Sequence, residues 1–191
     1  MTAVRNPVSS PAESLILVDE QDQTVGFCSK QECHSGGGLL HRAFSVFLFD
    51  SNGRVLLQQR SADKPLWPLY WSNSCCSHPR EQEEVEDAVH RRVAEELALD
   101  CDPVFLYKFQ YHAHYGDAGS EHELCWVYAG GCRGEVSAHP EEIAALRWVN
   151  PDELTAEIAA DPGRFSPWMK MEWEVIRREY LDGILERLKQ G

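Results

Sequence analysis

Two glutamates separated by a single histidine stand at Glu121, His122 and Glu123. Side chains alternate between the two faces of a β-strand, so an extended chain would place Glu121 and Glu123 on one face and His122 on the other. On a solvent-exposed face, two such carboxylates repel each other weakly and have no functional meaning. The alternative is that they bind a cation together, and this interpretation depends on which side chains lie nearby.

Three histidines could complete a cation site. His78 comes two residues after Cys76, and His34 and His41 flank a glycine-rich stretch at residues 36–38. Imidazole and carboxylate groups together bind divalent ions such as zinc, manganese or iron. Spacing alone does not show convergence, since a single histidine is more often a surface or core residue than a ligand. The candidate metal ligands are His34, His41, His78, Glu121 and Glu123.

A second charged group falls in residues 83–99, where apolar residues recur every three or four positions and predict an amphipathic helix with an acidic polar face. Arg92 and Glu96 would lie one turn apart on this helix. The simpler interpretation is an ion pair worth about 0.2–0.5 kcal/mol. The functional alternative is that Glu96 binds magnesium while Arg92 contacts a phosphate, because magnesium sites combine one or two carboxylates with substrate oxygens. Helix geometry alone favours the ion pair.

Strands and helices must position these groups. Apolar and β-branched runs predict strands at residues 14–18, 24–27, 43–49, 55–59, 104–115, 121–129 and 145–149. Asn52 and Gly53 would supply the positive φ angles of a tight hairpin turn. A further helix is predicted to begin after Asn150 and to end at residues 161–163, and the last helix to begin near Ser166. The mixture predicts α and β layers packed together.

The composition of the 191-residue chain is that of a globular protein, with 43% apolar and 26% charged residues. A net charge of −13 disfavours nucleic acid and anionic membrane surfaces as partners. The longest apolar run is far too short to span a bilayer. We expect a disordered segment at residues 1–13, followed by one domain at residues 14–191.

The cysteines indicate a reducing compartment. There are seven of them, an odd number, in a chain whose first residues do not resemble an export signal. We therefore expect free thiols and a cytoplasmic location. No Cys-x-x-Cys pair is present, so a thiol that matters is expected to act through its reactivity.

Residues 77–99 resemble a degenerate Nudix box, the helical motif with which Nudix hydrolases bind the metals that activate water against a diphosphate. The matching positions are Glu83, Arg91, Val93, Glu95 and Glu96. Arg92 replaces the glutamate that follows the arginine in that family, and Ser77 and Ala98 replace glycines. A cation at position 92 argues against hydrolysis.

The residues that depart from the Nudix box resemble those of one branch of the superfamily, the type 1 isopentenyl-diphosphate isomerases. This resemblance extends from about residue 15 to the last helix. Residues 71–79 are similar to the branch's catalytic-cysteine motif, residues 121–125 to its paired-glutamate motif, and residues 166–169 to the motif that presents an aromatic side chain. The resemblance implies a Nudix-like α/β/α sandwich with a mixed β-sheet and a central acidic helix.

The resemblance also implies a role for each matching residue. The implied catalytic residues are Cys76, Glu123, Tyr111 and Trp168. The implied metal ligands are His34, His41, His78, Glu121 and Glu123, with Glu96 for magnesium. The implied diphosphate-binding cations are Lys30, Arg60, Lys64 and Arg92. Mg²⁺ would accompany the diphosphate, and a second divalent ion, Mn²⁺ or Zn²⁺, would occupy the His/Glu site.

The implied reaction interconverts isopentenyl and dimethylallyl diphosphate through a tertiary carbocation, which requires one acid and one base. In the forward direction we expect Glu123, assisted by Tyr111, to deliver the proton and Cys76 to remove one. Trp168 would stabilise the cation. The substrate is a small molecule, and we expect a monomer or a weak dimer. The alternatives are a Nudix hydrolase of a small diphosphate and a non-catalytic isoprenoid- or metal-binding protein.

Overall fold

A mixed β-sheet with helices on both faces makes up the computed structural model, which describes residues 8–190. In that range the strands are β1 Ser14–Val18, β2 Thr24–Ser29, β3 His41–Phe49, β4 Val55–Arg60, β5 Trp71–Ser72, β6 Cys75–Ser77, β7 Val104–Tyr115, β8 Gly119–Gly131 and β9 Ile143–Val149. The helices are α1 Lys30–Cys33, α2 Val85–Leu97, α3 Pro151–Ala160, α4 Pro167–Val175 and α5 Leu181–Gln190. A π-helical segment, Ile176–Tyr180, joins α4 to α5.

Strand β3 lies at the centre of the sheet. It runs parallel to β8 along its whole length and antiparallel to β6 and β1. Because residues 44–46 pair with both β6 and β8, those two strands lie on opposite sides of β3. Strand β7 pairs with β8, and β4 pairs with β5 and β9. The predicted α/β class with a mixed sheet is confirmed.

Both faces of β3 are buried, which explains why its sequence is an almost unbroken apolar run. Phe47 and Phe49 face a core that includes α3, α4 and α5, whereas Phe44 and Val46 face a second core against α2. Full burial of one such side chain contributes about 1.5–3 kcal/mol. The helices therefore cover the sheet on two sides, as the family resemblance implied.

Helix α2 is the predicted amphipathic helix, two residues shorter at each end than the predicted range 83–99. It buries Val89, Val93 and Leu97 against the sheet. Ala98 ends it with a left-handed φ of 54°. Glycine adopts this conformation more readily, and the Nudix motif has glycine at the same position.

The tight turn after β3 differs from its prediction. Within turn residues 50–53 only Gly53 has a positive φ, of 75°, and Asn52 does not. The two flanking strands then separate, because Phe49 and Val55 are the only two residues that pair between them in the described chain. Strand β4 instead pairs with β9 and β5.

Three short elements were not predicted, although each lies next to site residues. They are α1, β5 and β6. Ser29 and Glu32 form a capping box at the start of α1, with the Ser29 side chain accepting from the Glu32 backbone amide. The spacing Ser-x-x-Glu is a known signal of a helix start, so α1 was readable from the sequence.

No helix within residues 8–190 combines the length and apolar character needed to cross a membrane. Residues 1–7 of the predicted disordered segment lie outside the described residues. Val8 is buried, and Ser9 accepts a hydrogen bond from Lys30. The division of the chain at residues 13 and 14 stays a prediction.

Candidate functional site

A cavity of about 600 Å³ opens on the face of the sheet that carries α4. Most of the predicted site residues line it, namely Lys30, His34, Arg60, Lys64, Cys76, His78, Arg92, Tyr111, Glu121, Glu123 and Trp168. The two exceptions are His41 and Glu96. His41 is completely buried beside the cavity, and Glu96 is buried next to Arg92.

Strand register brings these residues to one face. Glu121 and Glu123 are two positions apart on β8, so both lie on the face of the sheet that carries the α4 core, as the sequence pattern predicted. His41 on β3 and Tyr111 on β7 are the direct neighbours of Glu123. Strand β6 pairs with β3 on the side away from β8, and Cys76 on β6 packs against the same core. Four strands therefore contribute to one site.

Close packing at Gly119 fixes the position of His34. The His34 carbonyl accepts a hydrogen bond from the Ser120 amide at 3.0 Å. Gly119 has a φ of 150°, and a Cβ at this position would collide with that carbonyl. Glycine is therefore required where β8 begins, because any other residue would displace the end of α1 and the His34 ring with it.

Three imidazoles and two carboxylates form a compact group whose ligand atoms all lie within 4.8 Å of one another. His34 Nε2 lies 2.7 Å from Glu121 Oε2. Glu123 Oε1 lies 2.9 Å from His78 Nε2 and 3.7 Å from His41 Nε2. This group contains the five side chains that were proposed as metal ligands from the sequence.

Hydrogen bonds orient two of the rings toward the centre of this group. His34 Nδ1 bonds to the Lys30 carbonyl at 2.6 Å, and His41 Nδ1 bonds to the Leu39 carbonyl at 2.7 Å. Each ring therefore directs Nε2 inward, as metal-bound histidines do. Within the described chain, His41 Nε2 is buried without a hydrogen-bond partner. When His34 Nδ1 donates to the Lys30 carbonyl in the neutral ring, His34 Nε2 presents an electron pair beside Glu121 Oε2. Converging electron pairs of this kind fit a divalent cation.

Electrostatics in the group favour a bound positive charge. Burial lowers the pKa of His41 to about 4 and that of His78 well below its usual value, which leaves neutral imidazoles that can bind metal. Burial would raise the pKa of Glu121, but attraction to the His34 ring holds it at about 2. Burial and the adjacent Glu121 raise the pKa of Glu123 well above its usual value. A cation at the centre would allow both carboxylates to ionise.

Two proton-carrying groups lie on opposite sides of β3. The Tyr111 hydroxyl donates to Glu123 Oε2 at 2.6 Å. Burial raises the pKa of Cys76 to about 12, and the Arg60 guanidinium, 4.0 Å from the sulfur, opposes this effect. The strands of Cys76 and Glu123 are two spacings apart, about 10 Å. Their side chains can therefore approach a small molecule from two sides.

Trp168 forms part of the cavity wall and is only 3% exposed. Its indole N–H donates to Ser72 Oγ at 3.1 Å and to Asn73 Oδ1 at 3.2 Å. The ring lies 6.2 Å from Tyr111, and the Arg60 guanidinium lies 5.1 Å from it. The ring is held rigidly, and its π surface can stabilise a positive charge.

Three cationic side chains, those of Lys30, Lys64 and Arg92, gather at another part of the cavity. Burial, together with the charges of Lys64 and Arg92, lowers the pKa of Lys30 to about 8. Lys30 Nζ donates to Ser9 Oγ at 2.6 Å, and Arg92 donates to the Val8 carbonyl at 2.6 Å. Concentrated positive charge in a protein of net charge −13 is suited to binding an anion.

Arg60 differs from these three cations in its surroundings. Its guanidinium donates to the Trp67 carbonyl at 3.0 Å and to the Leu66 carbonyl at 2.8 Å. It also lies beside Cys76 and Trp168. The proposed role of Arg60 in binding diphosphate stays a prediction, and its contacts place it next to the thiol.

Glu96 forms the predicted ion pair with Arg92. Its Oε1 accepts from Arg92 Nε at 3.0 Å and from the adjacent N–H group at 2.5 Å. Both side chains are 2% exposed, so the free energy of about 0.2–0.5 kcal/mol expected for a solvent-exposed ion pair does not apply. The Arg92 contacts fall on Oε1 alone, and magnesium binding by Glu96 stays a prediction.

Three charged residues that line the cavity, Asp63, Glu141 and Glu142, were missed by sequence reasoning, and Glu142 contacts the predicted cations. Glu142 is 5% exposed and contacts both Lys64 and Arg92. It follows Pro140 and Glu141 in a loop, where no periodicity or motif distinguishes it from an ordinary surface carboxylate.

Comparison with known proteins gives a consistent result. A family model described as NUDIX domain matches residues 39–169. "Isopentenyl-diphosphate Delta-isomerase 1" of Photorhabdus laumondii is 44% identical over 174 residues, which cover 90% of this chain and 99% of the relative. "Isopentenyl-diphosphate Delta-isomerase" of Nocardia farcinica is also 44% identical, over 86% of this chain and 94% of the relative.

Solved structures show the same fold. The DR0079 protein of Deinococcus radiodurans superposes with a TM-score of 0.67 at 26% identity, covering 88% of this chain and 99% of that one. A MutT protein from Methanosarcina mazei has a TM-score of 0.56 at 15% identity and covers 79% of this chain and 94% of that one. At that identity the second likeness concerns the fold alone.

Proposed function

The chain belongs to the Nudix family and, within it, to the isopentenyl-diphosphate Delta-isomerases, and from this premise we propose that its cavity interconverts isopentenyl and dimethylallyl diphosphate. One observation carries the proposal. A thiol, Cys76, and a hydrogen-bonded carboxyl, Glu123, share one cavity with a cationic region. This arrangement suits a small substrate that combines an anionic group with a carbon centre gaining and losing protons.

The cationic region would bind the diphosphate. Lys30, Lys64 and Arg92 supply charge-assisted hydrogen bonds to phosphate oxygens, which are stronger than those between neutral groups. We also propose that Mg²⁺ enters with the diphosphate, because magnesium favours phosphate oxygens over an all-protein site. The hydrocarbon part would then extend toward Cys76, Tyr111 and Trp168.

The isomerisation requires one proton donor and one proton acceptor. In the forward direction the Glu123 carboxyl, assisted by Tyr111, gives its proton to carbon 4, and the π electrons of the 3,4 double bond form the new C–H bond. Carbon 3 becomes a tertiary cation. Removal of a proton from carbon 2 by Cys76 requires its thiolate, which burial disfavours and which the positive charge on carbon 3 favours once the cation has formed. The electrons of the broken C–H bond form the 2,3 double bond. The Arg60 guanidinium favours the thiolate by its charge.

A divalent metal fits the His/Glu group. The residues that would hold it are His34, His41, His78, Glu121 and Glu123. Three imidazoles with two carboxylates are a donor set suited to Mn²⁺ or Zn²⁺. When bound, the ion would supply positive charge that makes the Glu123 carboxyl a stronger acid and stabilises the carboxylate left after it gives up its proton. His34 and His41 keep their orientation through the backbone carbonyls of Lys30 and Leu39.

Trp168→Leu is expected to lower kcat about 30-fold while KM changes less than about twofold. The carbocation exists only transiently, so an aromatic face that stabilises it contributes to turnover and not to substrate affinity. Such a contact is worth about 2 kcal/mol in a desolvated site, which corresponds to that factor. Steady-state kinetics with isopentenyl diphosphate measure both parameters.

Trp168→Phe is the matched control, because it keeps an aromatic face but loses the N–H that bonds to Ser72 and Asn73. We expect it to retain most of the turnover. Equal losses in both variants would assign Trp168 a packing or hydrogen-bonding role and contradict the stabilisation of a cation.

The proposed reaction can be tested directly with the purified protein, isopentenyl diphosphate, Mg²⁺ and either Mn²⁺ or Zn²⁺. Dimethylallyl diphosphate is the expected product by NMR, and in D₂O each forward turnover should place one deuterium on the methyl group derived from carbon 4. Release of inorganic phosphate without isomerised product would instead support the hydrolase alternative. The intact diphosphate of the product distinguishes the two outcomes.

A further inference from the structure

One carboxylate lies among the cations of the cavity. Glu142 Oε2 contacts Lys64 Nζ and lies 3.2 Å from a terminal nitrogen of Arg92. A single oxygen atom therefore holds two cationic groups close to each other. Burial would raise the pKa of Glu142, but the charges of Lys64 and then Arg92 hold it at about 2, so that the group is ionised at neutral pH.

Backbone hydrogen bonds fix the position of this carboxylate. The Glu142 carbonyl accepts from the Ser61 amide at 2.9 Å, which connects it to the loop that carries Lys64. The Glu142 amide donates to the His139 carbonyl at 3.0 Å, and the His139 amide donates to the Glu96 carbonyl at 2.8 Å. Glu142 is thus anchored to the loop of Lys64 and to the helix of Arg92.

The two cations differ in what else restrains them. Arg92 has further partners in Glu96 and in the Val8 carbonyl. For Lys64, which is 19% exposed, Glu142 is its one ion-pair partner among the described residues. Without Glu142, repulsion from Arg92 and from Lys30 would favour a Lys64 side chain that extends into solvent. A flexible lysine side chain has many such rotamers and loses entropy when it is ordered again.

We propose that Glu142 is a positioning residue, which holds Lys64 and Arg92 at a spacing that suits a diphosphate before the substrate arrives. The inference rests on the proposed function. Preorganised cations bind an anion without the entropic cost of gathering flexible side chains. This advantage outweighs the repulsion between Glu142 and the substrate, because the single charge of Glu142 is offset by its contacts with two cations, Lys64 and Arg92.

Glu142→Gln tests this role, since the amide keeps the size of the side chain and removes its charge. We expect KM for isopentenyl diphosphate to rise about tenfold with kcat changed less than about twofold. Glu142 acts on the diphosphate end and not on the carbon that reacts. The affinity for inorganic pyrophosphate with Mg²⁺, measured by isothermal titration calorimetry, is expected to fall by the same factor.

The matched control is Glu141→Gln, which removes the same charge from the exposed neighbouring residue. Glu141 also lines the cavity but has no ion pair with Lys64 or Arg92 among the described contacts, so this variant should not weaken pyrophosphate binding. Glu142→Asp restores the charge on a shorter side chain, and we expect it to recover part of the affinity. Circular dichroism establishes that each variant is folded.

Unchanged or tighter pyrophosphate binding by folded Glu142→Gln would overturn the proposal. A Glu142→Gln variant whose only defect is a lower thermal stability would overturn it as well. If Glu142→Gln does not fold, Glu142→Asp decides in the same way, with intermediate affinity supporting the proposal and wild-type affinity overturning it. Absence of isomerised product from the wild-type protein would refute the proposed function. The pyrophosphate comparison would still decide the role of Glu142.

Discussion

Cys76→Ala is expected to reduce kcat by about 10³- to 10⁴-fold, because the variant lacks the only thiol that lines the cavity within residues 8–190. In the proposed mechanism carbon 2 loses its proton to Cys76 in the forward direction, and the variant has no sulfur at that position. The product assay by NMR, with deuterium incorporation in D₂O, measures the loss.

The neighbouring thiol provides the matched control. Cys75 points to the opposite face of the sheet and is buried in the core against α2. Cys75→Ala should keep turnover within a few-fold of wild type, although its cavity lowers stability by roughly 1 kcal/mol. Metal content should be equal in both variants. Wild-type turnover by Cys76→Ala, or equal losses in the two variants, would contradict the role assigned to Cys76.

Local periodicity was sufficient to predict part of the site. The alternation of a strand placed Glu121 and Glu123 on one face, and the spacing of a helix placed Arg92 next to Glu96. Both predictions depend on neighbours within a few residues in the sequence. The burial of the ion pair did not follow from spacing, since it depends on how α2 packs against the rest of the chain.

Convergence of the five candidate metal ligands could not be derived in this way. It requires β3 to run parallel to β8, which places His41 next to Glu123 although 81 positions separate them, and it requires β6 on the other side of β3 to bring His78. Parallel pairing has no turn that marks it in the sequence. Only the family resemblance indicated that these residues meet.

Glu142 illustrates a different limit. Its role depends on two cations from other parts of the chain and on backbone hydrogen bonds of an irregular loop. An exposed carboxylate is the usual interpretation of a glutamate in such a loop. Helix α1, in contrast, had a readable signal in Ser29 and Glu32, and attention to the capping box would have placed His34 at a helix end.

His41→Ala is expected to abolish tight metal binding, with affinity for Mn²⁺ or Zn²⁺ reduced by at least about 100-fold. His41 is completely buried and directs an unpartnered Nε2 into the group of ligand atoms within the described chain. Substitution removes that nitrogen and leaves a small cavity beside Glu123. Metal content after dialysis, measured by mass spectrometry, gives the result without reference to activity.

Thermal stability supplies an independent measurement. A metal that binds only the folded state stabilises it by about 2.7 kcal/mol at a concentration 100 times Kd, so adding Mn²⁺ or Zn²⁺ to metal-free wild-type protein should raise Tm. The same addition should leave Tm of His41→Ala unchanged. His90→Ala is the control, because His90 is an exposed residue of α2 outside the group, and it should respond as the wild type does.

Retention of one tightly bound ion by His41→Ala would show that the ion is held elsewhere, since a site this compact cannot lose a central ligand and keep its affinity. Loss of metal by both His41→Ala and His90→Ala would instead indicate a general effect of substitution on folding. Selective loss in His41→Ala would tie the ion to the face of the sheet that carries Cys76. The thiol and the ion would then act within the same cavity.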